Sequence, residues 1–238
     1  MKRLIAICLM FTLFPSVMVE QAIVVKHKNV AENVQYVASS YASTYITGSG
    51  SSPVVWTQAV SCGAGSFVAV AVQESANFSS VTWSANNGAT ISSSSDGGSL
   101  SPLEIFNHIA NLPAGTTTIT VTAYSGGAYG SGYIQLACFT GLASNALNTV
   151  GSYNSGSGTT ISCTVSADNA NELIIAQDYT TSGVGQLGSG LQPGWVLKTV
   201  SGNSQYGYGY DVAGSSGTNT FTSTVSSSSW SAQCAAYK

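Results

Sequence analysis

The chain has 238 residues, a formal net charge of −3 and only 6% charged residues, against roughly a quarter in an ordinary soluble domain. After Lys28 the only cations are Lys198 and Lys238, set against eight acids over the same stretch. Binding a nucleic-acid backbone needs Lys and Arg to displace counterions, so nucleic acid is excluded as a partner. Ser, Thr, Gly, Asn and Tyr supply the polar surface instead, which suits an extracellular or particle-exposed protein. The length allows one large all-β domain or two small ones, with a core that needs no metal to hold it.

The N-terminus reads as an export signal over residues 1–22. Lys2 and Arg3 form the charged start and Leu4 to Val19 the apolar stretch, which contains Pro15 and is short for a membrane span. Ala22 is the candidate last residue of the signal, although Glu20 occupies a position that favours a small side chain; an uncleaved N-terminal anchor is the alternative. Residues 23–49 read as an extension with a leading strand, and 50–238 as the folded domain with no further membrane span. The exported protein is then extracellular, at the cell surface, or periplasmic. Four cysteines follow the signal, Cys62, Cys138, Cys163 and Cys234. An even number in an exported chain predicts disulfides, with three connectivities open.

Beyond the signal, no segment keeps a helical period over three turns. Short apolar runs broken by Gly, Ser and Asn predict many strands. Leading strands fall near Val34–Ile46 and Val54–Val60, followed by "SFVAVAVQE" from Ser66. The run "SPLEIFNHIA" from Ser101 is the one place for a short helix. Next comes "HIANLPAGTTTITVTAY", whose Thr118, Thr120 and Thr122 share one strand face opposite Ile119 and Val121. "YIQLACF" follows, then "SNALNTVGSYNSGSG", which reads as a linker. The pattern then repeats. "NELIIAQD" matches "SFVAVAVQE", and "YDVAGSSGTNTFTSTVS" matches the threonine segment, with Gly217 aligned on Gly115 at an offset of 102. "SWSAQCAAY" matches the cysteine-bearing strand "YIQLACF". Alternating threonines predict half-buried strands with a solvent-facing hydroxyl row.

Ten or more such strands bury their apolar faces against each other, which predicts an all-β, two-sheet antiparallel β-sandwich with an internally duplicated strand pattern. The alternative is two tandem immunoglobulin-like domains meeting near Thr149, although neither copy has the Cys…Trp…Cys spacing of that fold. The segments "NANELIIAQ", "PAGTTTITVT" and "SGTNTFTSTV" resemble secreted bacterial and phage β-sandwich modules of jelly-roll, lectin-like type. The resemblance covers about residues 50–238. It implies a fold and a surface setting and carries over no catalytic residue.

Several groups are candidates for chemistry. In "SQYGYGYDV", Tyr206, Tyr208, Tyr210 and Val212 share one strand face, with Gly207, Gly209 and Asp211 on the other. The tyrosines either pack inward, the expectation preferred here, or form an aromatic ladder for a ligand, to which Trp195 after the "LQPG" turn would add. Asp168, Asn169, Asn171 and Glu172 in "SADNANE" bring oxygen ligands into one turn, so calcium is the one cofactor left open; an ordinary Asx turn explains the same residues. Glu74 and Asp178 end matching strands, and two carboxylates at the right separation would hydrolyse glycosides. No motif marks a catalytic nucleophile, and His108 stands without a serine or cysteine motif near it. The sequence therefore points to a non-enzymatic surface or virion-associated module that binds glycans or surface proteins. A glycan-active enzyme and a self-associating structural subunit are the alternatives.

Overall fold

The computed structural model describes residues 34–37, 42–47, 53–74, 76–100, 103–125, 131–144, 146–181, 196–199 and 206–238. Residues 1–22, read from the sequence as an export signal, and Trp195 lie outside them. Residues Asn33–Lys238 form one compact unit. The described residues contain fifteen strands: β1 (Gln35–Tyr36), β2 (Ala42–Thr47), β3 (Val54–Val60), β4 (Phe67–Glu74), β5 (Phe78–Ala85), β6 (Gly97–Leu100), β7 (Leu103–Ile109), β8 (Thr117–Ser125), β9 (Ser131–Thr140), β10 (Leu147–Val150), β11 (Asn154–Ala167), β12 (Leu173–Thr180), β13 (Val196–Thr199), β14 (Tyr206–Val212) and β15 (Gly217–Tyr237).

All pairings are antiparallel. The first central sheet runs β1-β9-β4-β7-β6, with β2 also on β9; the second runs β10-β15-β12-β14-β13, with β11 also on β15. A third, outer sheet is β3-β8-β5. The expected antiparallel β-sandwich is present, built from three sheets where two were anticipated. The two central sheets carry the same strand order, which makes β9, β4, β7 and β6 the counterparts of the C-terminal part of β15 and of β12, β14 and β13.

Alternation along the central strands explains the layering. In β4, Phe67, Ala69 and Ala71 join Phe106, Phe139, Leu173, Ile175, Tyr208 and Tyr237 in a seam between the two central sheets. The alternate residues Val68, Val70 and Val72 pack instead with Trp56, Trp83, Ile119 and Val121 under the outer sheet. The second central sheet repeats this arrangement. Ile174, Ala176, Ala232 and Cys234 face Ile161, Cys163, Val165 and Phe221 of an outer ribbon made by β11 and the first part of β15. Each central sheet is thus covered on both faces, which is why its strands read as continuous apolar runs.

This double coverage corrects two expectations. The run proposed as a short helix is strand β7, with Leu103, Ile105 and Ile109 in the outer core and Phe106 in the seam; burial on both sides removed the simple alternation that marks a half-exposed strand. The expected linker is also strand. Thr149 pairs with Ala236, and Asn154–Gly158 pair with Ala232–Ser228. Gly156 serves packing, since a Cβ there would lie 2.8 Å from the Trp230 ring. Disulfides join Cys62 to Cys138 and Cys163 to Cys234. Cys138 lies in the first outer core, and both Cys163 and Cys234 lie in the second. Such bonds are compatible with an oxidising compartment. Among the described residues no helix is long and apolar enough to cross a membrane.

Candidate functional site

A cavity of about 640 Å³ opens where the segment after β5 meets the end of β7 and the connection between the halves. Gly88, Thr90, Ile91 and Ser92 form one wall; His108, Ala110, Asn111 and Pro113 form the second; Ser144 closes the third. Its walls are stitched along their length. Asn86 and Asn87 hold the turn after β5: Asn86 Oδ1 accepts from the Thr118 amide at 2.7 Å, and Asn87 Nδ2 donates to Ala114 O at 2.9 Å. Asn87 and Gly88 take the left-handed conformation this turn requires (φ 55° and 71°). Further along, Asn107 Nδ2 donates to Ser92 O and Ser94 O at 3.0 and 2.9 Å, and the Trp83 indole donates to Ser95 Oγ at 3.0 Å. The Leu112 amide donates to Ser66 O at 2.9 Å and Leu112 O accepts from the Gly65 amide at 2.8 Å, fixing the second wall.

His108 is the most constrained polar group in the cavity wall. Its Nδ1 lies 2.7 Å from Asp96 Oδ2, and the Tyr237 hydroxyl donates to the same oxygen at 3.1 Å. The Phe67 ring stacks on the imidazole at 5.4 Å and Tyr237 meets it edge-on at 5.5 Å. A carboxylate on Nδ1 fixes the tautomer and leaves Nε2 as the uncommitted ring nitrogen. Nothing in the sequence links Asp96 to His108. The usable signal was only that "SDGG" precedes a strand by a hairpin's length, and the pairing of β6 with β7 brings the two side chains together.

The tyrosine stripe lies mainly in the seam. Tyr208 is fully buried and Tyr210 is half-buried. The Tyr210 ring stacks on Tyr36 at 5.0 Å and meets Phe139 at 5.2 Å. Burial, followed by the neighbouring Tyr36, raises the Tyr210 phenol above its ordinary value. For Tyr206 the structure describes the backbone alone, paired with Tyr179. Gly207 and Gly209 on the opposite face are also buried, under the outer ribbon.

The remaining candidates separate from one another. Glu74 continues the outward face of Val70 and Val72, and Asp178 that of Ile174 and Ala176. Both central sheets therefore stand between the two carboxylates. Sheets stack about 10 Å apart, too far for the paired carboxylates of glycoside hydrolysis. Burial raises Asp178 to about 7, partly offset by the Gly207 amide. Asp211 is half-buried and also raised by burial, with the Val212 amide opposing. In the turn considered for calcium, Glu172 is buried and its carboxylate already accepts from the Asn169 amide at 3.0 Å and from Asn148 Nδ2 at 2.8 Å. Asp168 is exposed and sits 3.8 Å from Lys238 Nζ, and Asn171 adopts φ 68°. The turn is satisfied by its own amides, and among the described residues no group of three or more His, Cys, Asp or Glu side chains converges on a metal position.

Two further features were partly legible. The threonine rows do face outward, and register turns them into arrays. On the outer ribbon Thr160, Ser162, Thr164 and Ser166 pair with Thr224, Thr222, Thr220 and Thr218. On the outer sheet Thr120 lies between Thr57 and Ser84, and Thr122 between Val55 and Thr82. The seam holds an amide cluster that sequence reading missed. Gln135 Nε2 donates to Gln73 Oε1 at 2.8 Å, Gln73 Nε2 donates to Asp178 O at 2.8 Å, and Ser231 Oγ donates to Glu104 Oε1. Glu104 is fully buried there. Burial holds its carboxyl well above the ordinary range, with Ser231 opposing and Asp178 adding to the rise.

The fold and site define a class: an antiparallel β-sandwich of two disulfide-closed halves, with a walled cavity of mixed polar and apolar lining beside the end of β7. No protein-family model matches the chain. No curated protein matches it either.

Proposed function

We propose that the chain is an exported surface or virion-associated module, without catalytic activity of its own, that adheres to glycans through repeated weak contacts. The observation that supports this reading is the pair of Ser/Thr arrays, one on the outer layer of each half. They are uncharged, and on the outward face of the ribbon four successive cross-strand pairs carry a hydroxyl on both strands. Such faces offer donors and acceptors without ion pairing, and two faces on one molecule multiply weak affinities by effective concentration. The disulfides and the low charge suit a protein displayed outside the cell. The test is a glycan array probed with the protein as a monomer and clustered on beads. Clustered protein is expected to bind neutral glycans at least tenfold better, and Thr120→Lys with Thr220→Lys to abolish that gain while changing stability by no more than about 0.5 kcal/mol. Silence of the clustered protein on every glycan overturns the proposal.

A second reading, a glycan-active enzyme, is favoured by one observation, the oriented Asp96–His108 pair, since a base held by a carboxylate is a recurrent catalytic unit. Release of reducing sugar or acetate from polysaccharides, lost in His108→Ala, would establish it.

A further inference from the structure

We infer that the His108 cavity is a discrete binding site for one uncharged sugar unit, separate from the hydroxyl arrays. The choice of a sugar rests on the glycan reading above; the site itself rests on its own geometry. A volume of about 640 Å³ lies within the range of small-molecule sites, roughly 300–1,000 Å³. The lining excludes several ligand classes. Among the described residues the lining contains no Lys or Arg, and the Asp96 carboxylate stands directly behind His108, so phosphates, sulfates and carboxylates meet no Lys or Arg partner and one carboxylate. Among the described residues no Trp, Tyr or Phe lines it, so there a nucleobase or aryl group finds no Trp, Tyr or Phe ring to stack on.

What the lining offers is neutral. His108, Asn111 and Ser144 supply donors and acceptors at different points of the rim, while Ile91 and Pro113 supply apolar patches. A pyranose presents that complement: hydroxyls around its edge and C–H groups on its faces. With Nδ1 committed to Asp96, Nε2 is the ring nitrogen left to hydrogen-bond a sugar hydroxyl. Asn111, which is exposed, has both an amide donor and a carbonyl acceptor to offer. Preorganisation favours the site. The imidazole is held by Asp96, Phe67 and Tyr237, and the wall from Asn86 to Asp96 is bonded to β7, β8 and the turn before β8. Binding therefore costs little ordering of the protein. Asp96 acts here as a positioning residue, with no contact to the ligand.

The experiment is saturation-transfer NMR and calorimetry on the full chain, using a panel of methyl glycosides of neutral hexoses and N-acetylhexosamines, with glycerol, glucuronate and glucose 6-phosphate as controls. Saturable one-to-one binding of at least one neutral glycoside is expected. It should be weakened tenfold or more by Asn111→Ala and by His108→Ala, and be absent for both acidic sugars. Asp96→Asn should weaken binding and change its pH profile, a shift that a merely structural role would not produce. Filling the cavity through the exposed Ser144→Tyr should abolish binding with an unchanged melting temperature. Failure of every neutral glycoside to bind, equal binding of glycerol, or indifference to both Asn111→Ala and Ser144→Tyr overturns the site. The Thr120→Lys/Thr220→Lys variant separates the two ideas: it should leave monomeric glycoside binding intact while removing the gain from clustering.

Discussion

The first half of the molecule, through β9, and the second, from β10, share a strand order but differ in how they turn corners. In the first, β8 of the outer sheet and β9 of the central sheet are separate strands. In the second, one 21-residue strand, β15, serves both layers. It passes from ribbon to sheet opposite a register shift at Gly158–Thr160, where Gly158 has φ 127°. The first half has three strands in its outer layer, the second two among the described residues. Their chemistry differs as well. At the 102-residue offset Phe106 and His108 stand where Tyr208 and Tyr210 stand in the second copy, so the Asp96–His108 pair and its cavity belong to the first half alone. The shared layering was kept because each central sheet needs cover on both faces, whereas the edge beside β7 and β14 was free to diverge.

The disulfides offer the strongest way to break this comparison. Removing one should cost about 2–5 kcal/mol. With one outer strand fewer among the described residues, the second half depends more on its bond, so Cys163→Ala/Cys234→Ala should lower the melting temperature more than Cys62→Ala/Cys138→Ala. Equal losses would show that the third outer strand contributes nothing to closure. Next come the matched seam rings. Phe106→Ala and Tyr208→Ala should each cost about 3–5 kcal/mol in urea unfolding, because both rings are fully buried between the same sheets. A mild effect at one would mean that the seam is not equally packed from both sides.

The smallest expected effect is in pH dependence, which sharpens the comparison by titrating one acid from each half. Asp178 is raised from 3.8 to about 7 by burial, and Glu104 is raised well above its ordinary value by burial in the seam. A raised carboxyl binds its proton more tightly in the folded state. Its stability contribution is complete below the unfolded value and is lost as pH rises toward the folded value. For Asp178 that loss should run between about pH 4 and 7, and Asp178→Asn should flatten it. Glu104 is raised in the same direction, so Glu104→Gln should likewise make stability fall less steeply as pH rises above the ordinary carboxyl range. A stability curve that rises across this window would contradict both burials.

Much of the architecture was legible because it rests on local rules. Gly115 and Gly217 match in sequence, and both adopt positive φ (90° and 115°), a conformation that favours glycine at the turn into each threonine strand. Alternation at Thr118 to Thr122 and at Thr220 to Thr224 announced one wet face. The β7 run failed as a strand signal because Glu104, Asn107 and His108 interrupt its apolar residues, and each is accounted for by a partner distant in sequence. The cavity escaped notice for the same reason: its walls come from three separate segments, none of them a motif.

The sequence alone determined that this is a strand-built, duplicated, weakly charged chain with an even cysteine set, since period, composition and turn chemistry act over a few neighbouring residues. Only the tertiary structure decided that the two copies stack through a shared seam, which cysteines join, and that Asp96 orients His108. Those outcomes depend on which faces meet, and packing between residues as far apart as Asp96 and Tyr237 leaves no trace in local pattern.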